Sequence, residues 1–245
     1  MLDKILVRNS THKDVFTPEY TSDQAVLDRK LANKAGTNLH VLFPPWHGGG
    51  SVYEKLIQRI AKKGDTALAY YFHDEILKPN SGQVLASFVS IRDTVAKELD
   101  NLTSIHNYRR VNLIAMSLGN PALAIVTSKF TNFDSATLVD GASSLATAMW
   151  HGSRTKHIRA GIEEEGHDLN YLERAWTNLA PINHVGVLAG KDVTMIVSKT
   201  DEIIPTVYQE DLVGAIQAAG IDPTVQRTRL GHYASIGRYC LYGDL

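Results

Sequence analysis

From about residue 37 onward, short apolar runs alternate with stretches of helical periodicity. Strands that are each followed by a helix pair in parallel through crossover connections. The rhythm therefore predicts an α/β domain with a mostly parallel sheet and helices on both faces. Six runs read as strands, at 39–43, 67–72, 110–115, 135–139, 193–198 and 224–229. Between the first two, Tyr53, Leu56, Ile57 and Ile60 recur at helical spacing, Ser51 and Glu54 form a capping box, and Gly64 supplies a stop. Val84, Phe88, Ile91, Val95 and Leu99 mark a second helix, a third is expected over 121–129, and Tyr208, Leu212, Ile216 and Ala219 mark another. Residues 1–36 fit the rhythm less well. Residues 4–8 could form a strand, whereas Thr21 and Gln24 ahead of Val26, Leu27 and Leu31 read as a capped helix. Residues 142–190 are too long for a simple crossover, and an insertion there reads as a small helical lid on a single domain spanning 1–245.

Ligands of open α/β sheets bind beyond the carboxyl ends of the strands, so reactive side chains at those ends are the candidates. They are His47, Ser117, Asp140, Asp201 and His232, with His73 and Asp74 behind another strand. Ser117 lies in the sequence Ala115-Met116-Ser117-Leu118-Gly119, between a strand and a helix. Small residues two before and two after let a chain turn sharply enough to lift the hydroxyl above the sheet. Taken alone, the pattern fits a buried strand-end serine too. His232 could serve as a general base for that hydroxyl, or be one ordinary histidine among ten. Asp201 could orient the imidazole, or merely cap a turn; Glu202 adjoins it, and Asp140 is the competing acid. The run His47-Gly48-Gly49-Gly50 frees backbone N–H groups to face an oxyanion, or to cradle a phosphate. No Walker sequence follows it, and no Gly-x-Gly-x-x-Gly is present there. The conjunction decides: glycine loop, serine, acid and histidine, each at a strand end, in the order Ser…Asp…His.

Other signals carry less. Ser10 with Lys13 and Ser153 with Lys156 match Ser-x-x-Lys without its companion motifs, and Glu163 to Glu165 read as a solvated helix face. Trp46, Met149, Trp150 and Trp176 are candidates for pocket, lid or plain core. His73, Asp74 and Glu75 lack a metal-ligand partner at suitable spacing and read as pocket wall or solvated loop. With 25 basic and 26 acidic residues, the chain lacks the charge excess of a protein devoted to nucleic acid. One cysteine, Cys240, allows no internal disulfide, and Asp3, Lys4 and Arg8 fall where a signal peptide needs apolar residues. The longest uncharged run, 111–128, holds Asn112, Gly119, Asn120 and Pro121 and makes a poor membrane span. These features predict a cytoplasmic protein with no stable membrane insertion, and they leave room for a homo-oligomer.

Residues 37–245 resemble the α/β-hydrolase superfamily. The resemblance implies a sheet of eight or slightly fewer strands. It also implies Ser117 as nucleophile, Asp201 as acid and His232 as base, with His47, Gly48, Gly49, Gly50 and the Leu118 backbone as oxyanion hole. The loop is similar to that of lipases and esterases. The elbow departs from the Gly-Asp-Ser-Ala-Gly-Gly of the hormone-sensitive-lipase group. The function so implied is hydrolysis of carboxylic esters of small to medium acyl groups, without metal or organic cofactor. Thioester or amide hydrolysis, acyl transfer and a non-catalytic small-molecule receptor are the alternatives on the same scaffold.

Overall fold

A computed structural model of the chain describes residues 27–245. Seven strands, β1 (Leu27–Ala32), β2 (Leu39–Phe43), β3 (Thr66–Phe72), β4 (Val111–Met116), β5 (Ser135–Val139), β6 (Asp192–Ser198) and β7 (Thr224–Thr228), form one sheet in the order β1-β3-β2-β4-β5-β6-β7. All neighbours are parallel except β1, which runs antiparallel to β3. The six strands read from the sequence fall within one residue of the observed ones. Among the described residues, no helix is long and apolar enough to cross a membrane.

The first strand corrects the helix expected through Leu27 and Leu31. Two apolar residues four apart share a face of a helix, but they also share a face of a strand, where the period is two. Leu27 and Leu31 pack on the larger core, while Ala32 belongs to the smaller core on the opposite face. Lys30, on that second face, reaches Glu54 at 2.8 Å. Charges along β1 suit an edge strand, because they discourage pairing with another chain. The other readings on this part of the chain, the strand at 4–8 and the cap at Thr21 and Gln24, lie outside the described residues, as does Ser10 with Lys13.

Both faces of the sheet are covered. α1 (Gly50–Lys62) and α8 (His232–Tyr242) pack on one face, and α2 (Ser81–Ile105), α3 (Gly119–Thr127) and α7 (Thr206–Ala218) on the other. Strand alternation sorts the core accordingly. Leu39, Val41 and Phe43 of β2 enter the larger cluster, and Leu42 enters the smaller. α1 begins on Gly49 without a side-chain cap, so the expected Ser51–Glu54 box is not formed. Glu54 turns instead to Lys30 and to the Tyr71 hydroxyl, an ion pair plus a hydrogen bond that outcompetes a local cap. α3 begins two residues earlier than the helix expected over 121–129, with Pro121 in its first turn.

The insertion between β5 and β6 carries α4 (Leu145–His151), α5 (Lys156–Glu164) and α6 (Leu169–Ala175), followed by 3-10 turns at Thr177–Leu179 and Pro181–Leu188. Ile158, Ile162, Leu172, Trp176 and Leu179 are buried in the larger core, and the Trp176 indole N–H donates to the Ser81 carbonyl at 3.0 Å. The turn between α4 and α5 instead stands over the carboxyl ends of the strands. The strand order changes direction at β2: the chain passes from β2 to β3 on one side and then to β4 on the other. A crevice must open there at the carboxyl ends, and the residues following β2 and β4 line it.

Candidate active site

β4 ends at Met116, and α3 starts at Gly119. Of the two residues between them, Ser117 turns the chain with φ of 50°, and Leu118 is already helical in backbone. The elbow is fixed by the strand beside it. The Ser117 amide donates to the Val139 carbonyl at 2.9 Å. The Asn120 side chain donates to the Ser117 carbonyl at 2.9 Å and to the Val139 carbonyl at 3.2 Å. Gly119 is required by a close approach, since a Cβ there would lie 2.4 Å from the Phe43 carbonyl oxygen. Backbone cannot retreat as a side-chain tip can. Gly119→Ala is therefore expected to destabilise the fold by about 1–3 kcal/mol, and an unchanged Tm would contradict this packing of β2 against α3.

Two further residues complete a chain of hydrogen bonds. His232, the first residue of α8, places Nε2 2.9 Å from the Ser117 Oγ. Its Nδ1 lies 2.7 Å from Asp201 Oδ2. The His232 and Asp201 side chains are almost wholly buried. Asp201 is held in turn: the Ile203 and Ile204 amides each donate to Oδ1 at 2.8 Å, and the Gln209 amide donates to Oδ2 at 2.8 Å. An acceptor-only carboxylate on Nδ1 selects the tautomer with its proton there. Nε2 is left to accept from the serine hydroxyl. Glu202, the neighbouring acid, has another task, since its carboxylate accepts the His232 amide at 3.0 Å and so caps α8.

Asp140, the competing acid, ends β5 with φ of 48° and is fully buried. Its Oδ1 accepts the Ser235 hydroxyl at 3.2 Å, and Oδ2 has no partner. Burial, reinforced by the Asp201 charge and opposed by His232, pushes its carboxyl up to about 7. Donor atoms of Asp140, Asp201 and His232 lie within 4.8 Å of one another, a spacing that could suit a metal. Both ring nitrogens of His232 are already engaged, however, so an ion would have to break the hydrogen bonds to Ser117 or Asp201.

The glycine run behaves differently from its expected role. His47, Gly48 and Gly49 all have positive φ, and Gly50 as well, so the run is a left-handed turn that leads into α1. The Gly48 amide is consumed by the Pro45 carbonyl at 3.0 Å. Gly48, Gly49 and Gly50 do not line the cavity, whereas Pro45, Trp46 and His47 do. Among the described residues, the amides of His47 and Leu118 have no backbone or side-chain acceptor. His47 Nδ1 lies 2.7 Å from Asp74 Oδ1, and Trp46 stacks on the His47 ring. His47, Ser117 and Asp140 are three of the four described non-glycine residues with positive φ. Strained backbone thus concentrates around this crevice, as it does at functional sites generally.

Ser117 and His232 open onto a cavity of about 390 Å3, which is also lined by Leu77, Ile203, Tyr233, Arg154 and His157. Trp46 is the one tryptophan on its wall; Trp176 and Met149 are core, and Trp150 packs partly buried against that core. Of the acidic pair behind β3, Asp74 lines the cavity and Glu75 pairs with Lys78. Asn120, Gln209, Arg154 and Tyr233 carried no motif. Tyr233 adjoins His232, Asn120 adjoins the elbow, and Arg154 falls inside the Ser153–Lys156 match that was set aside for want of companion motifs. Cys240 is buried against Met116, away from the cavity.

This geometry and sheet order define the α/β-hydrolase fold, and similar solved structures have it too. An acylaminoacyl peptidase of Pyrococcus horikoshii superposes with a TM-score of 0.65 at 14% identity, over 94% of this chain and 38% of its own. Esterase 2 of Thermogutta terrifontis, phosphoramylated by tabun, gives a TM-score of 0.58 at 14% identity over 91% and 84%. An esterase of Pyrococcus furiosus gives 0.58 at 13% identity over 86% and 80%. This chain therefore spans less than two fifths of the length of that peptidase. No protein-family model matches the sequence, and neither does any curated protein.

Proposed function

We propose that this chain is a serine hydrolase that cleaves carboxylic esters of small to medium acyl groups. One observation carries the reading: a single imidazole bridges the Ser117 hydroxyl and the Asp201 carboxylate at the mouth of a cavity. In this reading Ser117 Oγ attacks the ester carbonyl as His232 Nε2 takes its proton. Asp201 stabilises the imidazolium that forms and holds its orientation. The tetrahedral oxyanion is received by the Leu118 amide at the start of α3, where the helix dipole favours negative charge, and by the His47 amide. His232 then protonates the leaving alcohol. Water, deprotonated by the same nitrogen, attacks the acyl-serine, and the collapse returns the serine and frees the acid. No step calls on a metal or an organic cofactor.

An amide or peptide substrate is the second reading, favoured by the superposition on a peptidase. It uses the same groups, with an amine as leaving group. A receptor role would need no such bridged serine. A reducing, cytoplasmic setting suits a chain whose one cysteine is buried and unbridged. The test is a p-nitrophenyl ester series from C2 to C12, run beside an acyl-amino-acid p-nitroanilide and a serine-directed fluorophosphonate. Ester turnover with phosphonate found on Ser117 is the expected result. Faster anilide than ester turnover would transfer the assignment to peptidase, and failure of both turnover and labelling would refute the hydrolase reading.

A further inference from the structure

Charge on the cavity wall is uneven. Arg154 lines the cavity with Ser117, His47, His157 and His232, and the one acid on the wall, Asp74, is bonded to His47. Arg154 has no acidic partner among the described residues, and its guanidinium lies over the Tyr233 ring, 5.6 Å from the centroid. Glu202, whose Oε2 accepts the His232 amide, does not line the cavity.

The turn that presents Arg154 is tied to the site. The Ser153 hydroxyl donates to the Glu202 carbonyl at 2.8 Å. The buried Thr155 hydroxyl bonds the Met149 carbonyl and reaches that of Gly152 at 3.2 Å. One side-chain hydrogen bond thus ties the turn to the 201–204 loop that carries Asp201. Arg154 is itself exposed, so its guanidinium is open to solvent and to a ligand entering the cavity beside Ser117.

From this we infer that the substrate carries a carboxylate close to its scissile ester, and that Arg154 receives it. The inference rests on the serine-hydrolase reading for the word substrate, and on the cavity wall alone for the anion site. A planar fork of N–H donors matches a carboxylate bidentately, and the Tyr233 ring lies beneath it as a cation–π partner. The remaining wall, with Trp46, Leu77 and Ile203, leaves apolar surface for the linking chain.

The experiment compares matched esters with wild type, Arg154→Met and Arg154→Lys. Monomethyl adipate against dimethyl adipate places the charge on the acyl side; O-butyryl glycolate against ethyl butyrate places it on the alcohol side. In one of the two pairs, wild type should favour the anion, and Arg154→Met should lower the anionic-to-neutral ratio of kcat/KM about ten- to hundredfold, with Arg154→Lys retaining part. Equal ratios in wild type and Arg154→Met for both pairs would overturn the inference. Binding without turnover gives the second readout. Hexanoate should raise the Tm of wild type more than 1-hexanol does, and Arg154→Met should abolish the difference. Neutral esters cleaved with no hexanoate effect would refute the anion site alone. A hexanoate effect lost in Arg154→Met, without cleavage of any ester, would refute the hydrolase reading and keep the site.

Discussion

Ser117→Ala is expected to lower kcat on p-nitrophenyl butyrate by roughly 10⁴- to 10⁶-fold, and His232→Ala by a similar factor. The reason is geometric. The Ser117 Oγ has its base 2.9 Å away, and no other histidine contacts that hydroxyl. Removing either partner ends the same step, so the double variant should be no slower than the slower single one. Multiplying losses would show that the two residues act in separate steps and would break the proposed relay. A residual rate above that in water should survive in all three, because the Leu118 and His47 amides remain in place to receive an oxyanion. Neither substitution is expected to unfold the protein, as the elbow is held by the backbone of Ser117 and the side chain of Asn120. An unchanged Tm beside the lost turnover separates chemistry from stability. Ser117→Ala retaining more than about a hundredth of wild-type kcat would move the nucleophile elsewhere.

What was legible in the sequence was whatever a local rule dictates. The elbow demands small residues around Ser117, and Gly119 proves to be pressed against the Phe43 carbonyl. Strand ends could be located from apolar runs, so Asp201 and His232 could be named. Leu27 and Leu31 misled because a spacing of four satisfies both helical and strand periods, and only the neighbouring β3 decides between them. The glycine run was read as a cradle of amides, yet its positive φ values serve to turn the chain, and the first of those glycines spends its amide on Pro45. Ser51 and Glu54 matched a capping box, but Glu54 found Lys30 and Tyr71 across the fold. Gln209 and Arg154 were beyond reach. Gln209 bonds Asp201 from a separation of 8 residues, but no motif marks it; Arg154 comes from the inserted segment, and its place on the wall exists only once the fold brings Ser117 beside it.

Asp201→Asn should lower kcat by about 10⁴-fold, whereas Asp140→Asn should stay within roughly tenfold of wild type. An asparagine at 201 can present an N–H toward Nδ1. It then favours the tautomer with the proton on Nε2, the nitrogen that must accept from Ser117. Asp140 makes no hydrogen bond to His232, so its loss leaves the tautomer intact. Reversed magnitudes would exchange the roles of the two acids. The same pair differs in stability against pH. Burial raises the Asp140 carboxyl from 3.8 to about 7, so its bound proton favours the folded state fully below the lower value. That contribution is lost as pH rises through the upper value, because the unfolded chain ionises freely while the fold must then carry a buried charge with one oxygen unpartnered. Asparagine keeps the shape and removes the charge, and its carbonyl can still accept from Ser235. Asp140→Asn should therefore gain Tm over wild type at pH 8.5 and gain little or nothing at pH 4. Each kcal/mol is worth about 2–4 °C in a domain of this size, well within the reach of a melting curve. A gain of equal size at both pH values would mean that Asp140 is not protonated in the fold at low pH, and a loss at pH 8.5 would mean that its negative charge holds the site together.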